Sequence, residues 1–391
     1  MSEEVKEPAR LPWYRRHGEY MERARGYLRG WADREWELPV AVREEVHAYR
    51  HVASIRLIFE SNLIEGAGLS EGDTRTVVEK YFPRLPINVE HRPAPRRALP
   101  DLSLVDPATL EGLLQRFQEE PPPPEAGTGS LRFRGRSRAT REVTQHYQAF
   151  LITMRLGREL EARPAIIALA EFFLRASPPG QPPLWQREPR WIGTRHWHPM
   201  IAAILDGTKT ELSEADRALI TIREVQALHA TLAEGLLPAD AGVSAGEFRI
   251  DERTAGLHVK FPSPSLVPAA MHEWERRTNA RLPGPGGSIE NAVVAHACAI
   301  SYDFVRTHPF PDFNGRLSRL LLNAVLVPHV PFPVVLSGRS KENGNYLRAL
   351  KMADRGDMRG YETLVAMSIC ASFEEVNENL RLAGLPVLMP K

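Results

Sequence analysis

The sequence lacks several features that would each have pointed to a class of protein. Its only cysteines are Cys298 and Cys370. Both sit in apolar, helix-like contexts, which suits buried thiols in a reducing compartment better than a disulfide framework. Net charge is also missing: 50 basic against 49 acidic side chains leave +1, so no overall field draws the chain to nucleic acid or an anionic membrane. Long apolar runs are absent: even Leu320 to Val327, broken only by Asn323, is far too short to span a bilayer. No apolar stretch follows the charges of the first sixteen residues, which leads us to expect a cytoplasmic protein. Strand-like alternation is confined to the neighbourhood of Leu257 to Phe261, so the expected fold class is all-α with one short β-hairpin. What remains is 43% hydrophobic residues on a 391-residue chain, enough to fill two or three packed units.

Helical periodicity organises most of the chain. Val46, Val52, Ile55, Ile58, Phe59 and Leu63 share one stripe from Val42 to Ile64, and Gly66 follows where a C-terminal cap belongs. A second helix is expected over Ser70 to Phe82, with Ser70 as its cap and Asp73 in its positive first turn. From residue 83 to about 210 prolines accumulate, and the basic stretch Arg132 to Arg138 reads as solvated linker. Within it, Val143, Tyr147, Phe150, Leu151 and Met154 form one helical stripe, and Ile166, Ile167, Ala170 and Phe173 form another after Pro164. His196 and His198 lack a cysteine or carboxylate partner and read as surface residues rather than a zinc site. Helices resume at Leu212, with further candidates at Pro268 to Asn279, Ser288 to Thr307, Arg316 to Leu326, Asn343 to Asp354 and from Gly360. The expected division is 1–82, an N-terminal helical region; 83–210, a Pro-rich linker with a helical insert; and 211–391, a core domain.

The densest chemistry lies between His308 and Arg319. Pro309 ends an apolar helix, and Asn314-Gly315 permits a tight turn whose backbone N–H groups can converge on phosphate oxygens at the start of the next helix. Arg316 and Arg319 are one turn apart, so their guanidinium forks face the same side and can grip successive phosphates. Asp312 is the natural ligand for Mg2+, which favours a carboxylate supplemented by phosphate oxygens and water. His308, with an ordinary pKa near neutrality, is the candidate base.

Read together, His308-Pro309-Phe310-Pro311-Asp312-Phe313-Asn314-Gly315-Arg316-Leu317-Ser318-Arg319 closely resembles the signature of the Fic family, HPFx[DE]GNGRxxR. The resemblance extends to Gly246-Glu247-Phe248-Arg249, similar to the family's G-x-F-R, and to Tyr346 with Leu350, similar to a Y-x3-L element whose tyrosine borders the adenine. Asp354 falls where an adenine-contacting asparagine is usual. The family implies a helical bundle core with a β-hairpin flap, here Leu257, His258, Val259 and Lys260, that aligns the target segment. It implies Phe313, Asn314, Gly315, Arg316, Arg319 and Tyr346 as the nucleotide-binding set, Asp312 as the metal ligand and His308 as the catalytic residue.

Ser61-Asn62-Leu63-Ile64-Glu65-Gly66 resembles the family's inhibitory motif [ST]xxxE[GN], in the class II arrangement where it precedes the core. The resemblance implies that Ser61, Glu65 and Gly66 form a brake in which Glu65 pairs with Arg319 and stands in the place of the ATP γ-phosphate. One residue departs from the pattern. Phe313 replaces a usual glycine and would be strained if its backbone needs positive φ. The related Doc toxins, which transfer a phosphoryl group, also have a non-glycine residue there but lack the second arginine that this chain keeps as Arg319.

The expected activity is therefore that of a nucleotidyltransferase, a protein adenylyltransferase moving AMP from ATP to a Ser, Thr or Tyr hydroxyl, with Mg2+ as cofactor and a protein target as partner. Deadenylylation, with Glu65 positioning water, and a weakened module that binds nucleotide or a partner without turnover are the alternatives. Neither nucleic acid nor a membrane is an expected partner, and a homodimer is compatible with the sequence.

Overall fold

The computed structural model describes residues 12–32, 38–82, 131–175, 203–204, 207–255, 259–281 and 292–388. Among the described residues the fold is all-α apart from one short hairpin. In chain order the helices are α1 (His17–Ala32), α2 (Val40–Ile64), α3 (Glu71–Tyr81), α4 (Leu131–Arg175) and α5 (Ile222–Ala233), then α6 (Val267–Arg281), α7 (Val293–Thr307), α8 (Asn314–Leu326), α9 (Ser340–Ala353) and α10 (Arg359–Leu382). Between α5 and α6, β1 (Thr254–Ala255) pairs antiparallel with β2 (Val259–Lys260), Thr254 opposite Lys260 and Ala255 opposite Val259. Of the four flap residues, Leu257 and His258 lie outside the described residues, as do His196 and His198.

The centre of the fold is α8, whose residues are buried on every side except at Gly315. A helix covered all round must satisfy its polar side chains internally. Asn323 does so by donating to the Arg319 and Val334 carbonyls and accepting from the Val334 N–H at 2.7 Å. Around it, α7 packs along one flank and α4 along another, while α2 and α5 contact it near its start. The N-terminal helix α1 lies against α10, burying Met21, Ala24, Leu28 and Trp31.

Three expectations are corrected. The basic residues from Arg132 belong to a helix rather than a linker, and the stripes on either side of Pro164 belong to a single helix of 45 residues. Proline removes one backbone donor and crowds the preceding turn, yet α4 continues through it. Where α4 crosses α8, a Cβ on Gly157 would collide with Val327 and the Ala324 carbonyl oxygen, so this glycine permits the close approach. The helix expected to resume at Leu212 yields only one turn there, Glu214–Arg217. The longer helix begins instead at Thr221, whose hydroxyl accepts from the Glu224 N–H while Glu224 returns the bond to the Thr221 N–H, a reciprocal capping box.

Candidate active site

His308 ends α7 in the left-handed region, at φ 47° and ψ 57°. Two bonds from Arg249 hold that conformation, the side-chain Nε donating to the His308 carbonyl at 2.7 Å and the backbone N–H to the Pro309 carbonyl at 2.9 Å. The same guanidinium also reaches the carbonyls of Asp251 and Pro262 on either side of the hairpin. Arg249 therefore ties the flap to the loop. The His308 ring stacks on Phe261 at 3.9 Å, and burial pushes its pKa down to about 4 against the partial recovery provided by Val305 and Glu65. It is neutral at physiological pH, as a base must be.

The loop after His308 is closed by its own side chains. The Asn314 side chain accepts from the Phe310 N–H at 3.0 Å and donates to the Phe310 carbonyl at 2.8 Å. Asp312 Oδ1 accepts from the Phe313 N–H at 2.6 Å. Beneath the loop His229 stacks on Phe310 at 3.9 Å. Its Nδ1 accepts from the Gly246 N–H at 2.8 Å, so Nε2 carries the hydrogen facing the Asp312 carbonyl at 3.2 Å. Only a neutral ring can do both, in keeping with burial pushing its pKa down to about 4.

These histidines imply a stability profile. From the ordinary value of 6.5 down to about 4, unfolded His229 and His308 bind protons that the folded forms refuse. Buried His146 is displaced in the same direction, chiefly by burial and then by Arg316 and Arg319. A depressed histidine pKa stabilises the fold above the unfolded value, and that contribution drains away as pH falls, at up to about 1.4 kcal/mol per pH unit per histidine. Urea unfolding at pH 7 and pH 5 should therefore differ by a few kcal/mol, taking about 1.4 kcal/mol per unit as the ceiling. Equal stabilities at the two pH values would contradict the neutral assignments.

Phe313 does adopt positive φ, at 63°, where a side chain carries a conformational cost. The ring offsets that cost. It is 3% exposed, and the Arg316 guanidinium lies over its face at 3.8 Å, a cation–π contact in a dehydrated setting. Phe313→Gly would relieve about 1–2 kcal/mol of backbone strain but forfeit about 3–5 kcal/mol of ring burial. The expected net result is a loss of about 2 kcal/mol with weaker ATP binding, checked by urea unfolding and calorimetry. A glycine variant that is more stable and binds ATP more tightly would show the ring to be an obstruction.

Above the start of α8 stands Glu65. It caps the C-terminus of α2, followed by Gly66 at φ 64° in a Schellman closure, with Ala67 N–H on the Asn62 carbonyl and Gly66 N–H on the Leu63 carbonyl. A carboxylate at the negative end of a helix is unfavourable unless a cation answers it. Arg319 does: Nη2 donates to Glu65 Oε1 at 2.7 Å and to the Ser61 carbonyl at 2.9 Å, and Nε donates to the Ser61 hydroxyl at 2.8 Å. Burial raises the Glu65 pKa, but the charge and hydrogen bond of Arg319, with Arg316 and His308 behind them, hold it below the ordinary carboxylate value. A Cβ added to Gly315 would overlap the Glu65 carboxylate. Glu65 thus occupies the helix N-terminus, the natural seat of an anion.

Tyr346 is buried, with the Arg319 guanidinium 5.9 Å from its ring centre. Asp354 accepts from the Tyr302 hydroxyl at 2.8 Å and pairs with Arg306 at 3.1 Å. Sequence reasoning did not single out Asn62, Glu142, His146 or His229, which complete the floor of the site.

A neutral histidine, a helix N-terminus at Gly315 and two buried arginines thus come together at the start of α8. Residues 219–326 match the Fic/DOC family model. A curated relative, "Protein adenylyltransferase Fic" of Drosophila yakuba, is 33% identical over 147 residues, covering 38% of this chain. Its namesake in Drosophila melanogaster is 31% identical over the same share. The chain spans 27% of the length of each of these relatives. Among solved structures, a Fic domain containing signalling protein from Bacteroides thetaiotaomicron superimposes with a TM-score of 0.49 at 14% identity, over 97% of this chain and all of that one. Fic-1 (residues 134–508) from C. elegans gives 0.43 at 18% identity, over 90% of this chain and 73% of that one.

Proposed function

We propose that this chain is a protein adenylyltransferase held in check by Glu65. The observation that carries the proposal is the Glu65 carboxylate lying over Gly315 at the start of α8 with Arg319 bonded to it. A site that supplies its own anion is built to take another, and the name of the Drosophila relatives agrees with ATP as its source. Residues 1–82 then form the regulatory region and 211–391 the catalytic core, with α4 of the intervening segment packed along α8.

In the reaction, a ring nitrogen of His308 takes the proton of a Ser, Thr or Tyr hydroxyl on the target. The oxygen bonds to the α-phosphorus, the bond to the bridging oxygen breaks, and pyrophosphate leaves toward Arg316 and Arg319. The N–H groups at the start of α8 hold the phosphate oxygens while charge shifts along the chain of phosphates. Among the described residues no cluster of three or more His, Cys, Asp or Glu could hold a metal unaided, so a divalent ion would rely on nucleotide oxygens. Asp312, half-buried with Oδ1 already fixed by the Phe313 N–H, fits Mg2+ as the single carboxylate. When bound, that ion neutralises phosphate charge. The hairpin at Val259 and Lys260 would align the target's backbone.

Deadenylylation is a second reading, in which the Glu65 carboxylate, close enough to His308 for each to shift the other's pKa, would hold the attacking water. Intact-mass measurement after incubation with ATP and Mg2+ tests the first reading. The Glu65→Gly form should gain one AMP and the wild type much less. No AMP on the variant or on any protein offered to it would overturn adenylyl transfer, and removal of AMP from a modified protein by the wild type alone would favour the second reading.

A further inference from the structure

We propose that Glu142, a carboxylate delivered by α4 from outside the matched family segment, is a positioning residue for Arg316. The inference rests on the proposed adenylyl transfer. Arg316 is 4% exposed, so its charge must be answered from within. Glu142 Oε2 lies 3.8 Å from Arg316 Nη1, and the same Nη1 points at Asn62 Oδ1 at 3.4 Å. Asn62 Oδ1 also accepts from His146 Nδ1 at 3.1 Å. Glu142 and His146 are one turn apart on α4, so both reach the floor of the site from one face of the helix. Arg138 braces the arrangement, donating from Nε to Glu142 at 3.2 Å and from Nη2 to the Leu236 carbonyl at 2.9 Å.

Two of the carboxylates near the arginines, Glu65 and Glu142, differ in kind. Glu65 bonds Arg319 directly at 2.7 Å, and its side chain is 34% exposed, so a nucleotide can displace it. The Glu142 side chain is 8% exposed and approaches Arg316 without a hydrogen bond. It cannot leave without unpacking α4, and Arg316 Nε has no hydrogen-bond partner among the described residues. Together with the Phe313 ring at 3.8 Å, Glu142 fixes the plane of the guanidinium and leaves donors over for phosphate. It acts from behind, as an orienting charge, and is not an anion that substrate must expel.

The test uses Glu142→Gln and Glu142→Asp, each on the Glu65→Gly background. Misorienting Arg316 should lower kcat for AMP transfer about tenfold to a hundredfold. KM for ATP should hold steady or fall, because loss of a negative charge beside Arg316 strengthens its pull on phosphate. Glu142→Asp keeps the charge one methylene further back and should recover part of kcat. An unchanged kcat, or a rise in kcat, would overturn the proposal. So would a parallel loss of kcat and affinity with a lower Tm that aspartate fails to rescue, since that is the pattern of a structural role. Crystal structures of Glu65→Gly and Glu65→Gly/Glu142→Gln give a readout independent of the reaction. Arg316 should leave the face of Phe313 only in the second. If Glu65→Gly transfers no AMP, the functional reading fails by itself, and Arg316 still seated on Phe313 in the glutamine variant would separately refute Glu142 as its positioner.

Discussion

Glu65→Gly is expected to raise the initial rate of AMP transfer about tenfold to a hundredfold, through one or two charge-assisted hydrogen bonds of about 1.5–3 kcal/mol that Arg319 becomes able to make to a phosphate. In the folded chain that arginine spends Nη2 on Glu65 and on the Ser61 carbonyl, and Nε on the Ser61 hydroxyl. The carboxylate also sits where a phosphate would meet the first N–H groups of α8, since even a methyl group on Gly315 would overlap it. Glycine at position 65 removes both obstacles and leaves the Ser61 contacts. The substitution also lifts a negative charge from the negative end of α2, so the variant should be no less helical there, and far-UV circular dichroism provides that control.

His308→Ala should lower transfer by at least about a hundredfold, the lower end of what a positioned base contributes, while ATP affinity changes little. The separation follows from where each function resides. In the proposed reaction phosphate is gripped by the start of α8 and by Arg316 and Arg319, whereas His308 reaches the site from the end of α7, held there by Arg249. Calorimetry with ATP and a labelled-ATP assay measure the two quantities, and undiminished labelling by the alanine variant would remove His308 from the mechanism. Because burial sets the His308 pKa near 4, the acid limb of kcat/KM for the intact protein should fall well below the ordinary histidine value.

How much of this was legible in the sequence depended on the range of the interaction. The loop was readable because its chemistry is local: a helix end, a helix start and two arginines three apart need only their neighbours, although Asn314 and Gly315 open α8 instead of forming a turn before it. Ser61 to Gly66 was readable as a helix terminus, and the resemblance supplied Arg319 as its partner. The positive φ at Phe313 was foreseeable, but the ring's place under Arg316 was not, since it depends on how α8 leaves the loop. Glu142 and His146 were hidden for a different reason. The proline-rich stretch before α4 and Pro164 within it made that helix look like an appendage, so polar residues on its buried face gave no signal of a site. By contrast α1 could have been found, since Met21, Ala24, Leu28 and Trp31 repeat at helical spacing among charged residues.

The most direct test is a double-mutant cycle on initial rates of AMP transfer, with wild type, Glu65→Gly, Arg319→Ala and the combined variant, each checked for folding. If Glu65 acts by holding Arg319, the gain from Glu65→Gly should vanish once Arg319 is gone, leaving the two substitutions strongly non-additive. Equal gains with and without Arg319, or no gain in Glu65→Gly while His308 is intact, would contradict the brake and return Ser61 to Gly66 to the status of an ordinary helix end.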